Sequence, residues 1–442
     1  MKIYTDLSEI EKDSGLLGYV RALQRAWNPD GGLGISQIGC LGNVPTIFIK
    51  ECKQVVSPEQ LHAWHRLFWN QGIASVLLII DPRTAYVFSG MEPPEQKGEK
   101  NRAMVERWDV VQDFLSNKQS LLTKVESGDF YKQYKAKFNP SKSVDGYLTA
   151  NLLELRNYLS PRIGEDCSHD FICRLLFVCY LVDRGIYSLP GYSGLSLHEA
   201  LIQMADDEAL RYLYNQFGIL KTKFNGSMFD QNLKEESSRF KAEYITALKN
   251  FLHGDELAKG QKTLGFWAYD FKWIPVETIS CIYENFLTGI DRKEKGAYYT
   301  PRLLAEMTID CAVESDPDWH QKRYLDPSCG SGIFLVTLFN RLATYWQFAH
   351  KHQGNGESFY VEKDTALRHI LEKQIVGIDI KQASCVLTCF SLYIAFLDFF
   401  EPIDILTYQK ESKYKNYQNF SNENSPANKA SILFLLLLRT ML

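Results

Sequence analysis

No Cys-x-x-Cys pair occurs among the ten cysteines, and no His/Cys run has the spacing of zinc ligands. The thiols sit mostly inside apolar stretches, which reads as free cysteine in a reducing cytoplasm. A basic excess is also missing. Lys and Arg total 49 against 53 Asp and Glu, a formal charge of −4, so any phosphate-binding face must be local and not a coat. Nothing is long and apolar enough to cross a bilayer: the longest apolar run, Phe171 to Val182, is short and carries Arg174 in its middle. Met1 to Asp13 is charged and polar, unlike a signal peptide. These absences describe a cytoplasmic chain. At 45% hydrophobic and 13% aromatic it is too apolar for disorder and can build real cores. Its 442 residues suggest about three domains.

The pattern along the chain is α/β, and no internal repeat is visible. Residues 1–100 read as an N-terminal α/β accessory domain. Ser57-Pro58-Glu59-Gln60 is a capping box with Pro at the first helical position, Leu61, Trp64 and Phe68 follow at helical spacing, and Gly72 stands where a C-terminal cap belongs. Val44 to Ile49 suits a strand, and Val76 to Ile80 with Ala85 to Phe88 suit two strands joined by Asp81-Pro82-Arg83-Thr84. Gly90 to Asn101 reads as a linker. Residues 101–290 read as a helical connector, with Leu175, Val178, Cys179 and Val182 on one helix face and a helix opened by Pro275 that carries Ile279, Ile282, Tyr283 and Phe286. Residues 291–442 alternate strand and helix, the pattern of a mostly parallel sheet.

The sharpest chemistry lies in that last region. Tyr324-Leu325-Asp326-Pro327-Ser328-Cys329-Gly330-Ser331-Gly332 reads as a strand ending in an acid, a glycine turn, and the start of a helix. It fails as a dinucleotide fingerprint, because Leu335 occupies the third glycine position. Ile375-Val376-Gly377-Ile378-Asp379-Ile380 is a second buried strand ending in an acid, the usual place for a carboxylate that grips two ribose hydroxyls. Asp379 lies much further beyond the glycines than the ~20 residues of a dinucleotide fold. Lys351 to Asp364 reads as an insertion that accounts for the difference, and Lys381 to Phe400 as a helix. Together these features disfavour a nicotinamide-dependent oxidoreductase.

With Gly296-Ala297-Tyr298-Tyr299-Thr300-Pro301 upstream, the three segments resemble motifs X, I and II of the adenine-N6 DNA methyltransferases that use S-adenosylmethionine. Arg174 to Gly185 and Tyr269 to Glu277 are similar to the helical region before the catalytic domain in type IIG-like restriction–modification and phage-defence methylases. The resemblance spans roughly Leu152 to Ile405 and implies a Rossmann-like methyltransferase domain with duplex DNA as partner. By that resemblance, Tyr298, Thr300 and Pro301 close over the methionine end of the cofactor. Asp326, followed by Pro327 and Ser328, holds its amino group, and Gly330 and Gly332 let backbone approach it. Asp379 accepts from the ribose hydroxyls and Ile380 packs on the adenine.

The family's catalytic motif, Asn/Asp-Pro-Pro-aromatic, polarises the target amine and stacks on the flipped base. No such motif follows Asp379, and Asn28-Pro29, Glu92-Pro93-Pro94 and Asn139-Pro140 do not supply one upstream, so no catalytic residue is assigned. The end of the sequence, polar after Ile405 and then apolar through Ile432 to Leu438, reads as an incomplete methyltransferase domain in a truncated or frameshifted frame, or as a terminal element docked on the sheet. The expectation is either an inactive fragment of a methylase or a non-enzymatic cofactor- or DNA-binding subunit that needs a separate chain.

Three weaker signals have bland alternatives. Pro29-Asp30 with Glu51-Cys52-Lys53 mimics a nuclease metal site, or is a solvated turn in an accessory domain. Lys132, Lys135, Lys137 and Lys142, interleaved with Tyr131, Tyr134 and Phe138, could track a phosphate backbone or form a solvated helix face, the preferred reading. His62 and His65 lack a third ligand and read as core or surface histidines.

Overall fold

The structure is a computed structural model that describes residues 1–94, 102–110, 114–223, 233–253, 269–277, 300, 302–313, 315–350, 357–380, 382–403 and 405. It divides into two compact units. The first comprises Met1–Glu154 and Asn250–Pro275, and the second Leu155–Lys249 and Val276–Leu442.

The first unit is built on a six-stranded sheet. Its elements are β1 (Lys2–Tyr4), α1 (Leu7–Glu11), α2 (Val20–Trp27), β2 (Gln37–Leu41), β3 (Val44–Glu51), α3 (Pro58–Gln71), β4 (Val76–Ile80), β5 (Thr84–Ser89), β6 (Met104–Asp109), α4 (Phe114–Ser127) and α5 (Asp129–Gln133). Helix α6 (Val144–Ile163) follows. The strands lie in sequence order, and all neighbours are antiparallel except β3 and β4. That exception follows from the chain: a parallel pair needs a crossover, and α3 supplies it. Its capping box forms as the sequence predicts, with Gln60 N donating to Ser57 Oγ and Ser57 N to Gln60 Oε1, and Gly72 caps the other end at φ 57°. The Asp81 carboxylate fixes the β4–β5 turn by accepting from Arg83 N and Thr84 N, each at 2.7 Å. Strand β4 is apolar at every position and buried throughout. Ile47, Ile49, Val76, Leu78 and Val87 form one core with Leu121, Val125 and Phe130, while Phe48 meets Phe68 of α3 edge to face.

Met104–Asp109 corrects the expectation that helix begins near Ala103, because it is a strand antiparallel to β5. Glu106, Arg107 and Asp109 are charged and no residue of the strand is fully buried, as suits the edge of a sheet. His65 is 2% exposed, and burial pushes its pKa down to about 4. A neutral imidazole then donates from Nε2 to the Ser89 carbonyl at 2.9 Å. The basic stretch is largely engaged within the protein. Lys132 pairs with Asp129, Lys137 donates to the Arg102 carbonyl, and Lys142 meets the buried Glu92 at 2.7 Å. Asn151 Nδ2 donates to the Tyr269 hydroxyl at 2.6 Å, and Asp270 N donates to Asn70 Oδ1, which roots this part of the Tyr269–Glu277 sequence in the first unit.

The second unit contains α7 (Glu165–Asp183), α8 (Leu197–Ile202), α9 (Asp206–Lys223), α10 (Leu233–Arg239), α11 (Ala242–His253, which starts here), α12 (Arg302–Val313), β7 (Tyr324–Asp326), α13 (Ile333–Ala349), α14 (Glu357–His369), β8 (Ile375–Gly377) and α15 (Gln382–Leu397). Helix α7 is buried at every position from Phe171 to Leu181, not on one face alone. Phe177 meets Phe390 of α15 edge to face, and the Tyr180 hydroxyl donates to the Ile394 carbonyl at 3.3 Å. Strands β7 and β8 are parallel, with Asp326 opposite Gly377. Much of the stretch read as an insertion is the regular helix α14, so a second crossover helix supplies length between the glycine turn and Asp379. The helix expected after Pro275 falls outside the described residues beyond Glu277. No described helix is long and apolar enough to cross a membrane.

Candidate functional site

Strand β7 is only three residues long, and its backbone continues into a turn tied to the neighbouring strand. Ile378 N donates to the Asp326 carbonyl and Cys329 N to the Ile378 carbonyl, both at 2.9 Å. This places the two strand-end acids, Asp326 and Asp379, beside the same glycine turn. Gly330 and Gly332 adopt φ of 54° and 89°, the left-handed region, and Gly332 is the N-cap of α13.

The acids have different jobs. Asp326 Oδ1 accepts from Ser328 N at 3.1 Å, while Oδ2 is buried with no hydrogen-bond partner. Burial raises the Asp326 pKa above the usual carboxylate range, the Ser328 N–H opposes that, and the nearby Asp379 adds to it. Asp379 Oδ2 accepts from Gly330 N at 3.0 Å and so pins the loop. Pro327 and Ser328 are exposed on the turn, and Ile380 exposes its whole side chain. Thr300 is half-buried. Tyr298 and Pro301 lie outside the described residues. The Cys329 thiol, which burial pushes up to about 12, is held protonated and is no nucleophile.

Sequence reasoning missed what supports this loop from behind. Thr388 on α15 is fully buried, and its Oγ1 donates to the Gly330 carbonyl at 2.8 Å. A Cβ on Gly332 would lie 2.6 Å from Thr388 Cγ2, so this glycine is required by packing as well as by φ. We expect Gly332→Ala to cost about 3 kcal/mol in a denaturant titration, part left-handed backbone strain and part overpacking. Adding Thr388→Ser, which removes the clashing methyl and keeps the hydroxyl, should recover part of it. Full additivity of the two changes would disprove the packing account.

Among the described residues no group of three or more His, Cys, Asp or Glu could hold a metal ion. Glu51 Oε1 lies instead near Lys118 at 3.9 Å and accepts from Gln37 at 3.4 Å. Lys50 is turned into the protein and donates to the Leu33 carbonyl.

Residues 276–398 match the family model described as N-6 DNA Methylase. No curated protein matches the sequence. Among solved structures, the chain is similar to the type IIL restriction-modification enzyme MmeI in complex with DNA, at 15% identity and a TM-score of 0.36, covering 57% of this chain and 37% of that one. It is also similar to the DrdV–DNA complex, at 11% identity and a TM-score of 0.31, covering 80% of this chain and 32% of that one. A third is the type IIG restriction endonuclease BpuSI, at 11% identity and a TM-score of 0.28, covering 89% of this chain and 42% of that one. The chain therefore spans less than half the length of each. The glycine turn, both strand-end acids and the helices behind them all fall inside residues 276–398, the segment that matches the N-6 DNA methylase family model.

Proposed function

We propose that the chain binds S-adenosylmethionine and serves methyl transfer to adenine N6 in duplex DNA, as the modification arm of a cytoplasmic restriction or phage-defence system. The observation that carries this reading is the buried, unpartnered Asp326 Oδ2 beside a second carboxylate. A buried acceptor without a donor is costly, and two neighbouring acids favour a cationic ligand. The ammonium of an amino-acid moiety satisfies both demands. Asp326 would hold that group. Asp379, whose Oδ2 accepts from Gly330 N, would accept from ribose hydroxyls, and the exposed Ile380 would cover an adenine face. Thr300, with Tyr298 and Pro301, would close over the methionine end. The bound cofactor supplies an electrophilic methyl group, while the chain's own residues bind, orient and keep water from it.

The 442 residues contain no Asn/Asp-Pro-Pro-aromatic sequence. That favours a second reading for the isolated chain: a cofactor- or DNA-binding subunit that completes transfer only with a separate polypeptide carrying the motif.

Calorimetry with S-adenosylmethionine and with NAD tests the ligand class. Heat from the former and none from the latter is expected, and the reverse would discard the methylase reading. A methyl-transfer assay on unmethylated duplex DNA should give no product with this chain alone. Robust turnover would show that the catalytic group lies among residues assigned no such role.

A further inference from the structure

Helix α15 carries the threonine that meets the glycine turn, and its own composition leaves its axial position unselected. Gln382–Leu397 contains no charged residue, and most of the helix is buried. Apolar burial is non-directional, so it favours packing without choosing one position along the axis. Directed polar contacts make that choice, and they stand towards opposite ends of the helix. In its first half, Thr388 Oγ1 donates to the Gly330 carbonyl at 2.8 Å, and Gly330 N in turn donates to Asp379 Oδ2 at 3.0 Å. Just past its last residue, Asp398 is paired with Arg184, the residue that follows α7. The Tyr180 hydroxyl donates to the Ile394 carbonyl at 3.3 Å and lies 3.5 Å from Asp398 Oδ1.

Phe177 meets Phe390, Tyr180 meets Ile394 and Arg184 meets Asp398, so α7 and α15, both in the second unit, run side by side in the same direction. The last of these pairs is largely buried, with the Arg184 side chain 7% exposed and that of Asp398 12%. The guanidinium also lies over the Tyr180 ring, 4.7 Å from its centre. A cation there stands at the C-terminal ends of both helices, where their dipoles favour it. Burying an ion pair adds little stability over an apolar pair of similar volume, but it restricts geometry in a way that apolar contact does not. Thr388 and Asp398 are about ten residues apart, roughly 15 Å along a helix. A helix is stiff over that length, so a slip at the Arg184 end is carried to Thr388.

We propose that Arg184 and Tyr180 are positioning residues for the glycine turn: they set the axial position of α15 at which Thr388 reaches the Gly330 carbonyl, and so hold the Gly330 amide on Asp379. The consequence for ligand binding deepens the S-adenosylmethionine reading and rests on it, whereas the positioning itself is measurable without a ligand.

Amide hydrogen exchange in the full chain, followed by mass spectrometry on a peptide spanning Gly330, tests this directly. Arg184→Met should speed exchange of that peptide roughly tenfold, the size of a typical coupling between distant sites. Arg184→Lys, which keeps a cation for Asp398, should retain most of the protection. Thr388→Val removes the hydroxyl at nearly constant volume, and adding Arg184→Met to it should bring no further change, because both act on one contact. Phe177→Leu loosens the same helix pair without touching these polar groups. It should lower the melting temperature and leave exchange at Gly330 as in the parent. Should Arg184→Met fail to fold, Tyr180→Phe, which removes only a hydroxyl, gives the same reading. Parental exchange at Gly330 in these variants, additivity with Thr388→Val, or equal acceleration by Phe177→Leu would each overturn the proposal. In calorimetry with S-adenosylhomocysteine, affinity should fall by a similar factor in Arg184→Met. A parent that does not bind this probe would overturn the cofactor reading, and the exchange rates would still decide the positioning.

Discussion

Asp326→Asn is expected to produce a chain that is more stable without ligand and unable to hold the cofactor's amino group. Asn keeps the oxygen that accepts from Ser328 N and removes a charge whose other oxygen is buried without a donor. The sign follows from linkage. The folded state raises the Asp326 pKa above its ordinary 3.8, so it holds the proton more tightly than the unfolded chain. The penalty is absent below 3.8, grows as pH rises towards the raised value, and is fully present at neutral pH. Removing the charge should therefore raise the melting temperature at pH 7, with a smaller gain in acid. Affinity moves the other way. Losing a charge-assisted bond to an ammonium should weaken S-adenosylmethionine binding about a hundredfold. Parent affinity should likewise fall as pH drops through the raised pKa. Calorimetry paired with thermal denaturation reads both, and a variant that binds like the parent would remove Asp326 from the site.

The largest stability effect should come from Arg174→Met. Arg174 is 0% exposed inside α7, and its guanidinium donates to Glu236 of α10 at 2.5 Å, an acid that also accepts from the Tyr214 hydroxyl at 2.8 Å. Removing the cation leaves a buried carboxylate without its counter-charge, which costs about 3–5 kcal/mol. The effect should appear as a lowered urea midpoint of the second unit, and Arg174→Met/Glu236→Leu should recover most of it. If the single and double variants are equally destabilised, Arg174 acts through packing volume and not through charge.

Arg174 also shows where reading the sequence stops. A lone arginine in an apolar run marks a buried partner somewhere, but Glu236 lies 62 residues away and nothing local points to it. The functional site divides in the same way. A strand ending in acid and a glycine turn are local patterns, and both stand where expected, because they depend on backbone conformation within a few residues. The bonds that fix the turn span longer distances: Asp379 to Gly330 across 49 residues and Thr388 to Gly330 across 58. Strand β6 was missed for a related reason. An edge strand in which Glu106, Arg107 and Asp109 interrupt the apolar residues carries little of the alternation that identifies a strand.

Composition, periodicity and short motifs were enough to establish an α/β chain with a glycine turn flanked by two acids, since side-chain preference and backbone sterics act over a few residues. Folding alone could set one acid to pin the loop and leave the other with a buried oxygen that no donor meets, and could make a threonine the reason for a glycine. It also paired Arg341 with two acids on a helix more than thirty residues earlier, across 35 and 31 positions. Those roles arise from the positions of distant side chains in a close-packed interior, where contact depends on the packing of helices and not on separation along the chain.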